Sequence, residues 1–218
     1  MNRFEIILIV ALFSLSACDK KSNKHKIDPA AVKLNYLAMD LYIHHNNDST
    51  SKAIKFLDSA TTIDSNYFFG YYDKLIFLNQ LKKYDEAIIA IKNMIRLRPD
   101  ANDFYLMGGI FYEKIGDTVS SRYYFQKSLA ICTKVLDTMN VKNKAYSMLV
   151  INKAINQIML GQQTKGDLLL KQIYENQTDS SQKEWIHLFI NKNKYELIEL
   201  FNYPPTIGTK ESTAVEVR

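Results

Sequence analysis

Glycine and proline are scarce in this chain, 7 and 4 among 218 residues. So little punctuation argues against many short strands joined by tight turns and favours long regular elements, which helices supply with few reversals. Cysteine is scarcer still: Cys18 and Cys132 alone exclude a disulfide-stapled miniature fold. The four histidines, His25, His44, His45 and His187, have no metal-ligand spacing, and neighbours on a helix such as His44 and His45 point in different directions. No glycine-rich phosphate loop is present, since MGGIFYEKIG lacks both the spacing and the closing basic residue, and no serine sits in a nucleophile elbow. Aspartates and glutamates occur singly on polar faces, so no carboxylate pair points to acid–base catalysis. Charge of one sign is also missing as a stripe. The net charge is +5, but the lysines are interleaved with acids, which gives no footprint for nucleic acid. What is present is the composition of an ordinary globular protein, 47% hydrophobic and 23% charged, with 14 tyrosines and 11 phenylalanines to bury. The reading is of a noncatalytic protein without a cofactor or metal.

The N-terminus stands apart. MNRFEIILIVALFSLSAC places Arg3 ahead of an uncharged run over 6–13 and closes on small residues, the composition of a secretory signal. That run is too short to cross a bilayer as a helix. Leu15, Ser16, Ala17 and Cys18 resemble the bacterial lipobox at all four positions. The resemblance implies cleavage after residue 17, a lipid anchor on Cys18, and a place in the bacterial cell envelope. With Cys18 taken by lipid, Cys132 has no partner, and its apolar context SLAICTKVL makes it a buried small hydrophobe rather than a nucleophile. Residues 19–26, DKKSNKHK, have nothing to bury and read, with residue 27, as a tether whose lysines favour an anionic surface. An aspartate after the lipidated cysteine resembles an inner-membrane retention signal in some enteric bacteria and accompanies surface export in other phyla, so Asp19 leaves inner membrane, outer membrane and cell surface open.

From residue 28 the pattern is helical and repeats. SKAIKFLDSATTIDSN, DEAIIAIKNMIRLRPD and VSSRYYFQKSLAICTK align so that Ala53, Ala87 and Ser121 fall 34 residues apart, as do Ala60, Met94 and Ser128, and Ile63, Leu97 and Ile131. A fixed period over three units signals stacked helical hairpins, because one hairpin cannot bury its own apolar face. The residues in this register resemble the tetratricopeptide repeat. In the third unit Gly109 takes the small position of the first helix, Tyr112 the aromatic, Gly116 the turn, and Ser121 and Phe125 the small and aromatic positions of the second helix. Tyr71, Tyr84, Ala87 and Pro99 fit in the second unit, and the first keeps only its core. The resemblance implies an all-α, right-handed superhelix of antiparallel helix pairs. Caps and prolines place helices over 29–45, 50–63, 67–80, 84–97, 101–114 and 118–138. The expected domain covers 28–201, with units near 34–67, 68–101 and 102–138, a degenerate unit over 142–176 around Gly161, and capping helices over 181–201. Capping boxes at Ser181 with Glu184 and at Asn193 with Glu196 would start the last two. Residues 202–218, with two prolines and no periodicity, read as a loose tail. Gly109 reads as a packing glycine that tolerates alanine but not leucine; Gly108 is unexplained by the pattern.

In this family the first helices line a concave groove. Carried over by register, its positions are Asn35, Ala38, Tyr42 and His45; Phe69, Tyr72, Ile76 and Asn79; Asp103, Leu106, Ile110 and Glu113. The lysine and asparagine set with which some members clamp a terminal carboxylate is missing. What the resemblance implies is a scaffold or adaptor holding a protein or peptide on an apolar, aromatic groove. Two alternatives stay open: a noncatalytic component of an envelope assembly that binds through its convex side or helix ends, and a small-ligand binder using a tyrosine-rich pocket. The groove residues are also open to a second reading, in which they pack as core or lie under the C-terminal tail.

Overall fold

Five helices start at a side chain set just ahead of the apolar run. Asp28 accepts the Ala30 amide at 2.8 Å, Asn46 that of Ser49 at 2.8 Å, Asp117 that of Ser120 at 2.9 Å and Asp179 that of Gln182 at 2.8 Å. Asn193 and Glu196 form the expected capping box. The expected box at Ser181 is replaced by the Asp179 cap, so that helix begins at Ser180, and Asp100 caps nothing because Ala101 occupies the N-cap position.

The structure, a computed structural model, describes residues 25–42, 46–143 and 145–201. The signal and lipobox residues, His44 and His45, and the tail 202–218 lie outside them. Among the described residues there are ten α-helices and no strand: α1 (Pro29–Tyr42), α2 (Asn47–Ile63), α3 (Phe68–Gln80), α4 (Tyr84–Leu97), α5 (Asn102–Lys114), α6 (Thr118–Leu136), α7 (Tyr146–Met159), α8 (Gln163–Asn176), α9 (Ser180–His187) and α10 (Lys194–Leu200). Each helix packs on the next through α9, giving four hairpins, α1/α2, α3/α4, α5/α6 and α7/α8, stacked as a tetratricopeptide-like solenoid.

The turn inside a hairpin recurs at the level of single hydrogen bonds. The Asp117 amide donates back to the Tyr112 carbonyl at 2.9 Å across Gly116, at φ +80°, and the Gln162 amide to Gln157 at 2.8 Å across Gly161, at φ +83°. The second hairpin closes the same way, Lys83 to Leu78 at 2.9 Å, but its left-handed residue is Lys82 at φ +56°. Ala87, Ser121 and Gly166 each stand three residues into their second helices, at the close approach to the first. The fourth hairpin therefore keeps the repeat's internal register. Its 45-residue spacing from the third comes from α6, 19 residues long against 14 in α4, and from the connection over 137–145.

Two apolar clusters make up most of the core. The first joins α1 to α4 and takes Phe104, Phe111 and Tyr112 from α5; the second joins α7 to α10 and takes Leu106 and Ile110 from the same helix. Helix α5 is thus apolar on nearly every side, as a helix enclosed by neighbours must be. Its remaining face carries Gly108 and Gly109 against α6. A Cβ on Gly109 would lie 2.5 Å from Phe125 Cε1, and one on Gly108 would lie 2.6 Å from Tyr124 Cε1. Both glycines therefore seat aromatic rings, and Gly108 opens no space beside the groove. A polar chain links the third and fourth hairpins: Ser128 donates to the Asn102 carbonyl at 2.8 Å and accepts from Asn156, while Asn152 donates to the Asn102 side chain, both at 2.8 Å.

Candidate protein-binding face

The first helices bring the twelve register positions to quite different fates. On α3, Phe69, Tyr72, Asp73 and Ile76 follow the i, i+3, i+4, i+7 spacing of one helical stripe. Phe69 is 52% exposed; Tyr72 and Ile76 are partly buried against the first cluster. Tyr72 stacks on Phe68 with ring centroids 6.1 Å apart, and Phe68 in turn packs on Phe104 and lies under the Arg98 guanidinium at 3.8 Å. The stripe's aromatic edge is therefore fixed from below.

On α1 the picture changes. Ala38 is fully buried, and Tyr42 is 4% exposed and stacked on Phe77 at 4.3 Å. Asn35, only 6% exposed, donates to Asp73 Oδ2 at 2.7 Å and so ties α1 to α3. Burial raises the Asp73 pKa, with the Asn35 hydrogen bond opposing. Burial likewise raises the Tyr72 pKa, helped by the negative charges of Asp73 and Asp103.

On α5 the expected groove is closed. Leu106 and Ile110 are 3% and 1% exposed and pack into the second cluster under α7 and α10, so they are core rather than open surface. The reason lies in α10. Expected as a cap on the end of the stack, it instead returns over the first helices, packing on α7 through the fully buried Leu197. Its first residue, Lys194, pairs with Glu113 at 2.8 Å, and Glu113 also accepts the Ser121 hydroxyl. At its other end the Phe201 carbonyl accepts from Asn79 at 3.1 Å and from Lys114 at 3.2 Å. Lys114 lies over the rings of Tyr84 and Phe111, and burial lowers its pKa to about 8, with Glu199 opposing. An ammonium at a helix C-terminus complements the unsatisfied carbonyls there. Asn79 and Glu113 are thus engaged by α10.

Among the described residues, α10 does not cover the half of the face built on α3 and the start of α5. Asp103 sits there in the first turn of α5, its pKa raised to about 6 by burial, against the backbone amides of that turn and the Arg98 charge. Asp73 was not among the register positions, although it directly follows Tyr72 and lies i+4 from Phe69; treating isolated acids as solvated hid it. Elsewhere, Cys132 is fully buried with its thiol pushed up to about 12 by burial, the state of an inert core cysteine. Among the described residues no group of histidine, cysteine or acidic side chains is arranged to hold a metal ion, and no helix is long and apolar enough to cross a membrane.

No protein-family model matches the chain, and no curated protein matches it. Among solved structures it is similar to the crystal structure of MamA, with 16% identity over 73% of this chain and 83% of that chain and a TM-score of 0.48. It is similar also to the crystal structure of PilW, a widely conserved type IV pilus biogenesis factor, with 19% identity over 69% of this chain and 64% of that chain and a TM-score of 0.48. The match thus spans less than two thirds of the PilW chain. The description of the fold rests on the hairpins and turns of this chain themselves.

Proposed function

We propose that the chain is a noncatalytic scaffold of the bacterial cell envelope, held at a membrane by lipid on Cys18, that carries a partner protein on the open half of its first-helix face. The observation that carries this reading is the stripe of Phe69, Tyr72 and Ile76 on α3, with Phe69 exposed and the other two half-buried, which among the described residues is not covered as α10 covers the equivalent side of α5. An exposed aromatic fixed by packing beneath it loses little freedom on binding, which favours a contact surface. The register positions Asn35, Tyr42, Asn79, Leu106, Ile110 and Glu113 support the face from inside or from its closed half. The envelope address rests on Leu15–Ser16–Ala17–Cys18 and the basic tether. Lipid on that cysteine would raise the local concentration of scaffold and partner at the membrane.

A second reading has its own observation. A cleft of about 400 Å³ beside α6 and the end of α7 is lined by Val119, Tyr123 and Met159, and Val119 is 81% exposed. The cleft borders the closed half of the face at Glu113 and Lys194, and its α6 wall is second-helix surface, which an envelope component binding outside the groove would use. Partner capture from solubilised membranes separates the two: Phe69→Ser should reduce recovery about tenfold, the loss of one interface anchor, while Val119→Ser leaves it unchanged, with circular dichroism intact for both. The opposite pattern would move the binding surface to α6. Cys18→Ser should shift the protein out of the membrane fraction, and unaltered fractionation would remove the lipoprotein assignment.

A further inference from the structure

The α3 half of the face contains carboxylates that no described residue pairs with in a salt bridge. Asp73 on α3 and Asp103 on α5 carry carboxylates on successive first helices, and the phenol of Tyr72 feels both. Neither forms an ion pair among the described residues, in a chain whose net charge is +5. Arg98, the cation nearest Asp103 in effect, is committed to the Phe68 ring at 3.8 Å and does not reach ion-pair distance. Tyr67 feels Asp73, and the Cys132 thiol feels Asp103 together with the Lys153 ammonium of α7, which forms no ion pair with either aspartate.

A second observation comes from Asn35. Its Nδ2 is fixed on Asp73 Oδ2 at 2.7 Å, yet the Oδ1 of the same planar amide is buried without a hydrogen-bond partner. A buried acceptor left unmatched costs about 1–3 kcal/mol and asks for a donor. Carboxylate and amide oxygens together make an acceptor-rich surface beside the Tyr72 ring, whose phenol is a donor among them. A group with several N–H donors and a positive charge satisfies that combination; an anion, a hydroxyl or an alkyl group does not.

We propose that the recess formed by Asn35, Tyr72, Asp73 and Asp103 is a subsite for an ammonium or guanidinium group, and that the protein partner inserts a lysine or arginine side chain there. This rests on the reading of the face as a protein-binding surface, with Phe69 and Ile76 flanking the stem of the inserted side chain. The recess is opposite in charge to a clamp for terminal carboxylates, whose basic residues this chain lacks.

The test uses the full chain in detergent micelles, with n-butylammonium and n-butylguanidinium as probes and n-butanol as the uncharged control. Resonances of the Asp73 and Asp103 carboxyl carbons and the Asn35 side-chain amide should shift and saturate with either cation, at millimolar concentrations typical of a single small group, and stay still with butanol. Asp73→Asn and Asp103→Asn, which keep side-chain size, should each weaken probe binding at least tenfold, and Glu184→Gln on the exposed surface of α9 should not. If Asp73→Asn fails to fold, Asp103→Asn and the wild-type titration decide. Shifts that rise linearly without saturation and equally at Glu184, or unchanged affinity in the folded Asn variants, would overturn the subsite. Because the probes need no partner, that failure is separate from failure of the face to bind protein, which partner capture with Phe69→Ser reports.

Discussion

At the scale of single residues, the adjacent glycines of α5 separate two kinds of neighbour. Phe125, against Gly109, is almost wholly buried, whereas Tyr124, against Gly108, is only partly buried and packs among Tyr105, Tyr112 and Tyr123. Alanine at either site gains about 1 kcal/mol of helix propensity, but overpacking a filled core costs about 1–3 kcal/mol. Gly109→Ala should therefore lower stability by about 1–2 kcal/mol, contrary to the tolerance expected from the repeat pattern, and Gly108→Ala should lower it by less, since a half-buried ring yields more readily than a buried one; urea unfolding of the two variants checks the order. Lys82 offers the converse case. It holds a left-handed conformation that glycine holds in the next two hairpins, and a side chain costs about 1 kcal/mol there. Lys82→Gly should raise the urea midpoint, and no change would mean that the lysine recovers the cost through its own contacts. Asp103 adds a pH dependence. Its folded pKa of about 6 lies above the ordinary value, so the folded state keeps a proton that the unfolded state has released, and stability falls as pH rises from about 4 to 6. Asp103→Asn should flatten that fall and stabilise the protein at pH 7 by on the order of 1–3 kcal/mol, measured by thermal unfolding across the window. A carboxylate that costs stability where a neutral isostere would not is what a binding group looks like before its ligand arrives.

At the scale of elements, the hairpins were legible because their causes are local. Small residues every 34 positions, caps ahead of α1, α2 and α6 and a glycine at the turns of the third and fourth hairpins all act within one unit, and the apolar period gives the helices around them. The fourth hairpin was legible only as degenerate, since its register is intact but displaced by a longer α6. What the sequence did not reveal is where α10 goes. A seven-residue helix with a sound capping box announces that it starts, not what it docks against. Its destination depends on Glu113, Asn79 and Lys114, between 80 and 122 residues away in the chain, and no periodicity encodes such a pairing. The same gap explains the groove: Leu106 and Ile110 hold groove positions by register and become core because α7 and α10 cover them. Leu197→Ala, which removes the fully buried anchor of α10, should cost about 2–5 kcal/mol of its docking. Hydrogen exchange should then accelerate across 194–201 and at Ile110 while α1 and α2 stay protected. Uniform acceleration would mean that α10 is integral to the whole stack.

At the scale of the whole molecule, both clusters share α5 and also α6, whose Phe125 lies in the second and whose Tyr124 packs on the first, so the solenoid behaves as two half-cores joined through one hairpin. The division has a functional counterpart. The half built on α7 to α10 seals its own first-helix face, and in the half built on α1 to α4 no described residue covers Phe69, which is 52% exposed beside the half-buried Tyr72. A tether from Cys18 would attach at the open half, through α1, placing that face nearest the membrane-bound end of the chain. The claim at the centre of this account is that the α3 face is where a partner protein sits. A photo-crosslinking residue at position 69, compared with one at the exposed Leu168 of α8, tests it in native membranes. The account predicts a discrete covalent adduct from position 69, absent from position 168 and diminished by Asp73→Asn. Adducts from position 168 with none from position 69 would contradict it.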